Sequence, residues 1–367
     1  PSFVDLWTPS GKYAKADTAL SAVINPGDTT IGNDSISLTL NGETVATDIA
    51  SADGILTVTA SGAAALAKGV KYELTLTYTD SAAGEQTQSR KFEVPVYFED
   101  FDSVELGPNV DELSVENELA WTGTGPEGWV VDSSNVPGNS EDHVGYVADE
   151  DEDGFPDNDG VTEWAGWSFA DYNWWVQVAG DQDRSQFTLA RNVVAVADPD
   201  EWDDKAHAAM IAIDSDGDGI LDSYTQMYTT FMSTPEIDVS GIAAGTLFAN
   251  FHSSWRPWFA AFSHATEGQQ KGTIEASYDG GEPVRVLFWE SDQASPNYHD
   301  HNQNEVVVVP LDNPDGASTL KLTFGLRDSG NDWWWAIDNL VINAGTVPPL
   351  IVTQPVGTEV SEGEAFA

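Results

Sequence analysis

The sequence predicts an all-β protein of two β-sandwiches, and three observations predict it. Short runs of strictly alternating polar and apolar residues recur through the first hundred positions, the period of a strand with one face buried. Turn residues break these runs, as in antiparallel hairpins. Apolar residues make up 41% of the chain and aromatic residues 11%, too much apolar surface for a disordered acidic chain and enough to fill cores.

Residues 35–40 (SISLTL) alternate, Asn41-Gly42 turns the chain, and residues 54–59 (GILTVT) and 72–78 (YELTLTY) alternate again. About seven such strands within residues 1–97 make a small sandwich. The frame from Leu40-Asn41-Gly42 to residues 66–72 (LAKGVKY) resembles bacterial immunoglobulin-like and fibronectin-like modules. The resemblance implies a fold and no catalytic signature.

Residues 98–345 differ in character. They carry 47 acidic and 8 basic residues against 11 and 6 in residues 1–97, and all the tryptophans but Trp7. Strand-like runs follow at 234–241, 246–251, 272–281, 320–326 and 333–342. This succession, with Phe98 to Phe101 opening it, is similar to the jelly rolls of secreted bacterial proteins, related in pattern to MAM-type and carbohydrate-binding modules. The likeness covers residues 232–343. It fails between about 103 and 205, leaving a Trp-rich, irregular insertion. It implies that the first and last strands clamp a structural Ca2+ between Asp338 and Glu99, Asp100 or Asp102; the alternative is surface carboxylates flanking a buried Trp cluster. Residues 346–367 open with Val347-Pro348-Pro349 and look like a linker and the first strand of a further Ig-like repeat. One strand cannot bury a core, so the natural protein is expected to continue, or the strand to complete a neighbouring sheet.

Composition removes several classes of function. Sixty-one Asp and Glu against 14 Lys and Arg give a net charge of −47, a field that repels nucleic acid and anionic membranes. With no Cys, thiol catalysis, disulfides and cysteine zinc sites are excluded. No run approaches the ~18 apolar residues that span a bilayer. Pro1 stands first with no leader before it, so a processed chain or fragment is expected.

Two carboxylate ladders point to Ca2+. Asp214, Asp216, Asp218 and Asp222 occupy loop positions 1, 3, 5 and 9, with Gly219 at position 6 where the backbone turns sharply. Asp149, Asp151, Asp153 and Asp157, followed by Asp159, repeat the frame around Gly154. Such spacing gathers the hard oxygens that Ca2+ requires. Both ladders resemble the calcium loops of thrombospondin type 3 repeats and, more loosely, of EF-hands. Position 12 is Gly160 in one loop and Thr225 in the other, so a final carboxylate has to come from elsewhere. The opposing reading is a solvated acidic loop.

Trp164, Trp167, Trp174 and Trp175 accompany Arg184, while Trp255, Arg256 and Trp258 cluster around Pro257. Exposed indoles stack on the apolar faces of sugar rings, but a single Trp is more often core. Trp255, Arg256 and Trp258 are the preferred ligand-binding exceptions. His299 and His301 would share one face of a strand, yet no H-E-x-x-H accompanies them. No nucleophile elbow or phosphate loop is present, and carboxylate pairs have no diagnostic value among 61 acids. The expected function is therefore non-catalytic: a calcium-stabilised extracellular or cell-surface module attaching its parent protein to a glycan or surface polymer. The alternative is a filament or surface-layer subunit that self-associates head-to-tail through the C-terminal strand.

Overall fold

A computed structural model describes residues 1–61, 66–109, 119–136, 162–178, 180–203, 212–213, 223–224, 227–257, 270–330 and 333–345. Both acidic ladders, at 149–159 and 214–222, lie outside these residues, as do Trp258 and the C-terminal stretch 346–367.

The protein is all-β. Two four-stranded antiparallel sheets form the first sandwich. One runs Phe3–Thr8, Ser21–Asn25, Ile55–Ala60, Thr47–Ala52 in spatial order, and the other Glu43–Val45, Ser37–Leu40, Val70–Asp80, Gly84–Val94. Alternation does the work: Leu74, Leu76 and Tyr78 point inward from one strand and meet Leu38, Ala22, Ile24 and Val58 in a single apolar cluster. Asn41 and Gly42 both take positive φ, 51° and 84°, and close a two-residue hairpin with Leu40 opposite Glu43.

The second sandwich is larger. Its eight-stranded sheet runs Gly107–Pro108, Leu119–Thr122, Ser168–Asp171, Val193–Ala197, Trp335–Ala344, Leu247–Trp255, Asn302–Pro310, and Tyr97–Glu99 also pairs with Trp335–Ala344. The facing sheet runs Val130–Asn135, Tyr228–Ser233, Thr319–Ser329, Lys271–Tyr278, Val284–Glu290, with Ile237–Asp238 added beside Thr319–Ser329. Between them lies one core containing Phe251, Ile274, Phe324, Trp335 and Ile337.

The stretch from about 103 to 205, expected as an irregular insertion, supplies strands to both sheets. It escaped recognition because Val193–Ala197 is buried on both faces and so shows no alternation. The run expected as a strand at 234–241 contributes only Ile237–Asp238. Residues 299–301 are not a strand.

Candidate cation centre and interdomain groove

The closing strand Trp335–Ala344 is paired along one side with Leu247–Trp255, from Ala344 opposite Leu247 to Trp335 opposite Trp255. On its other side it changes neighbour. Trp335, Ala336 and Ile337 pair with Ala197, Val196 and Ala195, and Leu340, Val341 and Ile342 pair with Glu99, Phe98 and Tyr97. Asp338 and Asn339 sit in the fork between these two partners. The fork is lined by backbone that only special residues adopt easily: Asn339, Phe101 and Asn192 have φ of 53°, 57° and 44°.

Asp338 is fully buried there. Its Oδ2 accepts the Arg191 N–H at 2.9 Å and its Oδ1 the Asn339 N–H at 2.6 Å. Asp102 reaches the same fork, its Oδ2 accepting from Asn192 Nδ2 at 2.7 Å and its Oδ1 from the Val193 N–H at 3.3 Å. Burial pushes the Asp338 carboxyl up to about 8, and the charge of Asp102 adds to the rise. Burial likewise raises Glu99 and Asp100. Among the described residues none of the four carboxylates makes an ion pair, and two of them, Asp338 and Asp102, meet at the fork. A hard cation is the species such a group would hold. Of the three carboxylates weighed against Asp338, Asp102 is the one whose charge acts on it; Glu99 turns back to accept the Phe101 N–H at 3.1 Å.

A second acidic group was not foreseen. Asp198, Asp200 and Glu201 bring carboxylate oxygens within 4.8 Å of one another. The fully buried Arg184 already sits against it: Nη2 donates to Asp198 Oδ2 at 3.0 Å and to Glu201 Oε1, and Nη1 to the Trp175 carbonyl at 2.9 Å. The guanidinium also lies 5.3 Å from the Trp175 ring and 5.2 Å from that of Trp334. Trp164, Trp167, Trp174 and Trp175 are all buried, which makes them core. Arg184 binds two of the three carboxylates, so the group reads as a structural ion pair.

Trp255, expected to stack on sugar, is fully buried, its ring 5.5 Å from Trp289 and 6.0 Å from Trp335. The assignment fails because the strand Leu247–Trp255 runs one step short of Arg256-Pro257, and its last residue faces the core. Arg256 is stacked 3.6 Å over Trp333 and lies 3.6 Å from Asp183. His299 lies flat on Trp289 at 3.9 Å and contacts Glu305 at 2.8 Å; His301 contacts Asp300 at 3.2 Å. Both histidines have protein partners and no shared face.

A concavity lies between the sandwiches. The loop carrying Lys12, Tyr13 and Lys15 overhangs Asn250, His252 and Asn339 of the eight-stranded sheet and encloses about 660 Å³. A second hollow of about 500 Å³ shares Lys12, Tyr13 and Asn250 and extends the groove past Lys71 and Asn343. Tyr13 is held by Phe98, ring centres 5.4 Å apart, and by the Lys12 ammonium, 2.8 Å from its hydroxyl. His252 donates its Nδ1–H to the Leu189 carbonyl at 3.1 Å, and burial, with Arg191 and Lys12 nearby, lowers its pKa.

No family model and no curated protein matches the chain. Among solved structures, it is similar to the K1 cleaved adhesin domain of Lys-gingipain from Porphyromonas gingivalis W83, at 14% identity and TM-score 0.31, covering 68% of this chain and 98% of that one. A cyclase from Fischerella sp. reaches 10% identity and TM-score 0.31 over the same shares. TmCBM61, solved with β-1,4-galactotriose, reaches 11% identity and TM-score 0.29 over 60% of this chain and 90% of that one. Adhesin, enzyme and sugar binder score alike, and values this low carry no argument about function. Among the described residues, no helix is long and apolar enough to cross a membrane.

Proposed function

We propose that this chain is a non-catalytic, calcium-stabilised module that attaches an extracellular or cell-surface protein to a glycan or surface polymer through the groove between its sandwiches. The observation that carries this reading is the groove's chemistry. An aromatic ring pinned by Phe98 and Lys12, the side-chain amides of Asn250 and Asn339, and two ammonium groups line one open trough. Sugar rings present apolar C–H faces and a fringe of hydroxyls, which an aromatic ring and amides match in turn.

Calcium has three places in this reading. Asp338 and Asp102 would hold one ion at the fork, where it would neutralise carboxylates that burial otherwise disfavours. The other two are the ladders at 149–159 and 214–222. The short strands Ala212–Ile213 and Ser223–Tyr224, which flank the second ladder in sequence, pair with each other. The division into units at 1–97, 98–345 and 346–367 belongs to the same proposal; two separate apolar clusters, drawn from residues 14–94 and 96–342, support its first boundary.

A glycan array tests the attachment reading. Binding to at least one glycan is expected, with loss of about tenfold or more on Tyr13→Ala or Asn250→Ala and no loss on Trp255→Phe. An array that stays blank, or binding indifferent to Tyr13 and Asn250, overturns it.

A further inference from the structure

We infer that the groove selects anionic glycans, chains whose pyranose rings carry carboxylate or sulfate groups; the inference rests on the attachment reading above and names its ligand class. The sign of the charge in the groove is the observation. Only 14 of 367 residues are Lys or Arg, against 61 acids. Lys12, Lys15 and Lys71 line the two joined hollows, and Lys91 stands with Lys12 and Lys71 in a third hollow on the same side. These are four of the six basic residues in the first 97. The acids along the same path are Asp100, Glu93 and Glu73. Over the whole chain acids outnumber bases 61 to 14, whereas along this path four lysines meet three acids.

The lysines are also free to act. Lys15 is exposed and makes no ion pair among the described residues. Lys71 meets Glu93 at 3.1 Å, but its side chain is 81% exposed, so the pair is screened and exchangeable. Lys12 has its pKa raised through its hydrogen bond to Tyr13 and stays charged beside the ring. Asp100, the acid that lines the same hollow as Lys15, is half-buried, so it meets an incoming anion less directly than an exposed carboxylate would. A ring with one ammonium group 4.6 Å from its centre, and a second ammonium and two amides lining the same hollow, fits a sugar whose substituent is negative.

The net charge of −47 acts against this at long range and not at short range. Exposed charges beyond about 8 Å are screened at physiological ionic strength, whereas a lysine in contact with its anion is not. Binding should therefore pass through a maximum as salt rises: screening first removes the repulsion of the whole molecule, then weakens the contacts.

The experiment uses two matched pairs: an oligogalacturonate and its methyl ester, and a sulfated galactan and its desulfated form. Calorimetry at 0.15 M salt is expected to show at least tenfold tighter binding of the anionic member in one or both pairs. Lys12→Gln with Lys15→Gln should erase that preference without moving thermal unfolding, while Lys321→Gln, on another strand, should leave it intact. Equal binding within both pairs overturns charge selection and leaves the attachment reading standing if the array still shows Tyr13-dependent binding. A preference that survives the double substitution, or one that only falls as salt rises from the lowest values, places the anion elsewhere and overturns the inference. If all four probes and the array fail, both readings fall.

Discussion

The first sandwich closes around Leu38, Val58, Leu74 and Leu76, side chains with no polar atom, whereas the second closes around Trp164, Trp175, Trp202, Trp334 and Trp335 with Arg184, Asp198, Glu201 and Asp338 buried among them. An aliphatic core holds through area removed from water and is indifferent to ions. A core with buried charge holds only while each charge keeps its partner, because an uncompensated ion in a dry interior costs several kcal/mol. The two halves of one chain should therefore respond to different insults. Thirteen of the 14 tryptophans fall within residues 98–345, so indole fluorescence reports that half while far-ultraviolet dichroism reports both.

The sharpest break is Arg184→Met. It removes the cation between Asp198 and Glu201 and should cost the second sandwich about 3–5 kcal/mol, leaving the first unchanged. Thermal unfolding followed by indole fluorescence should fall by roughly 10 °C, taking 2–4 °C per kcal/mol for a unit of this size. A loss below about 1 kcal/mol would show that the guanidinium is not what neutralises the pair.

Next in size is removal of calcium. If the ion is present at a thousand times its dissociation constant, it contributes about 4 kcal/mol, and EDTA should take that from the second sandwich alone. Asp216→Ala and Asp151→Ala should each reduce the response in part. Superimposable melting curves in EDTA and in excess calcium refute the calcium assignment.

The smallest effect sharpens the comparison by its sign. Asp80 in the first sandwich accepts hydrogen bonds from the Ser2 hydroxyl, from the Ala82 N–H at 2.7 Å and from the Thr29 hydroxyl at 2.8 Å, which hold its carboxyl far below the usual range. A depressed carboxylate stabilises the fold above about pH 4 and loses that contribution as pH falls through the folded pKa. Asp338 is raised to about 8, so between about pH 4 and 8 the folded state keeps a proton that the unfolded chain has released. Its contribution is full at low pH and lost as pH rises through that window. In EDTA, acid should weaken the first sandwich and alkali the second. Asp338→Asn should flatten the alkaline limb, and so should calcium. Parallel pH profiles for the two probes would contradict the assignment.

How far each half was legible follows from the same chemistry. In 35–40 and 72–78 one face of each strand is wet, so alternation marks the strand, its face and its core residues together, and the structure has Ser37–Leu40 and Val70–Asp80 there. The closing run at 333–342 was likewise visible and became Trp335–Ala344. Val193–Ala197 carried no such mark because both its faces are dry. Trp255 was misplaced for a related reason: Arg256-Pro257 reads as a loop, and nothing local says that the residue before it ends a strand pointing inward. The pairing of Arg184 with Asp198 and Glu201 crosses 14 and 17 positions with no periodic pattern, and it follows from packing alone. The groove was invisible for a simpler reason, since its two walls come from different sandwiches.

The fork beside Asp338 also decides how the second sandwich would yield to tension. The incoming strand Tyr97–Glu99 and the outgoing end of Trp335–Ala344 are antiparallel neighbours, with Tyr97 opposite Ile342 and the Val96 N–H bonded to the Ile342 carbonyl at 2.8 Å. A pull that separates residue 96 from residue 345 therefore loads the ladder from one end and peels its hydrogen bonds singly, the weakest way to stress a strand pair. The peel runs three residues and then meets Asp102, gripped by Asn192 and Val193 beside Asp338. That catch would set the force at which a tethered copy lets go, and an ion seated in the fork would raise it without adding a single contact to whatever the protein holds.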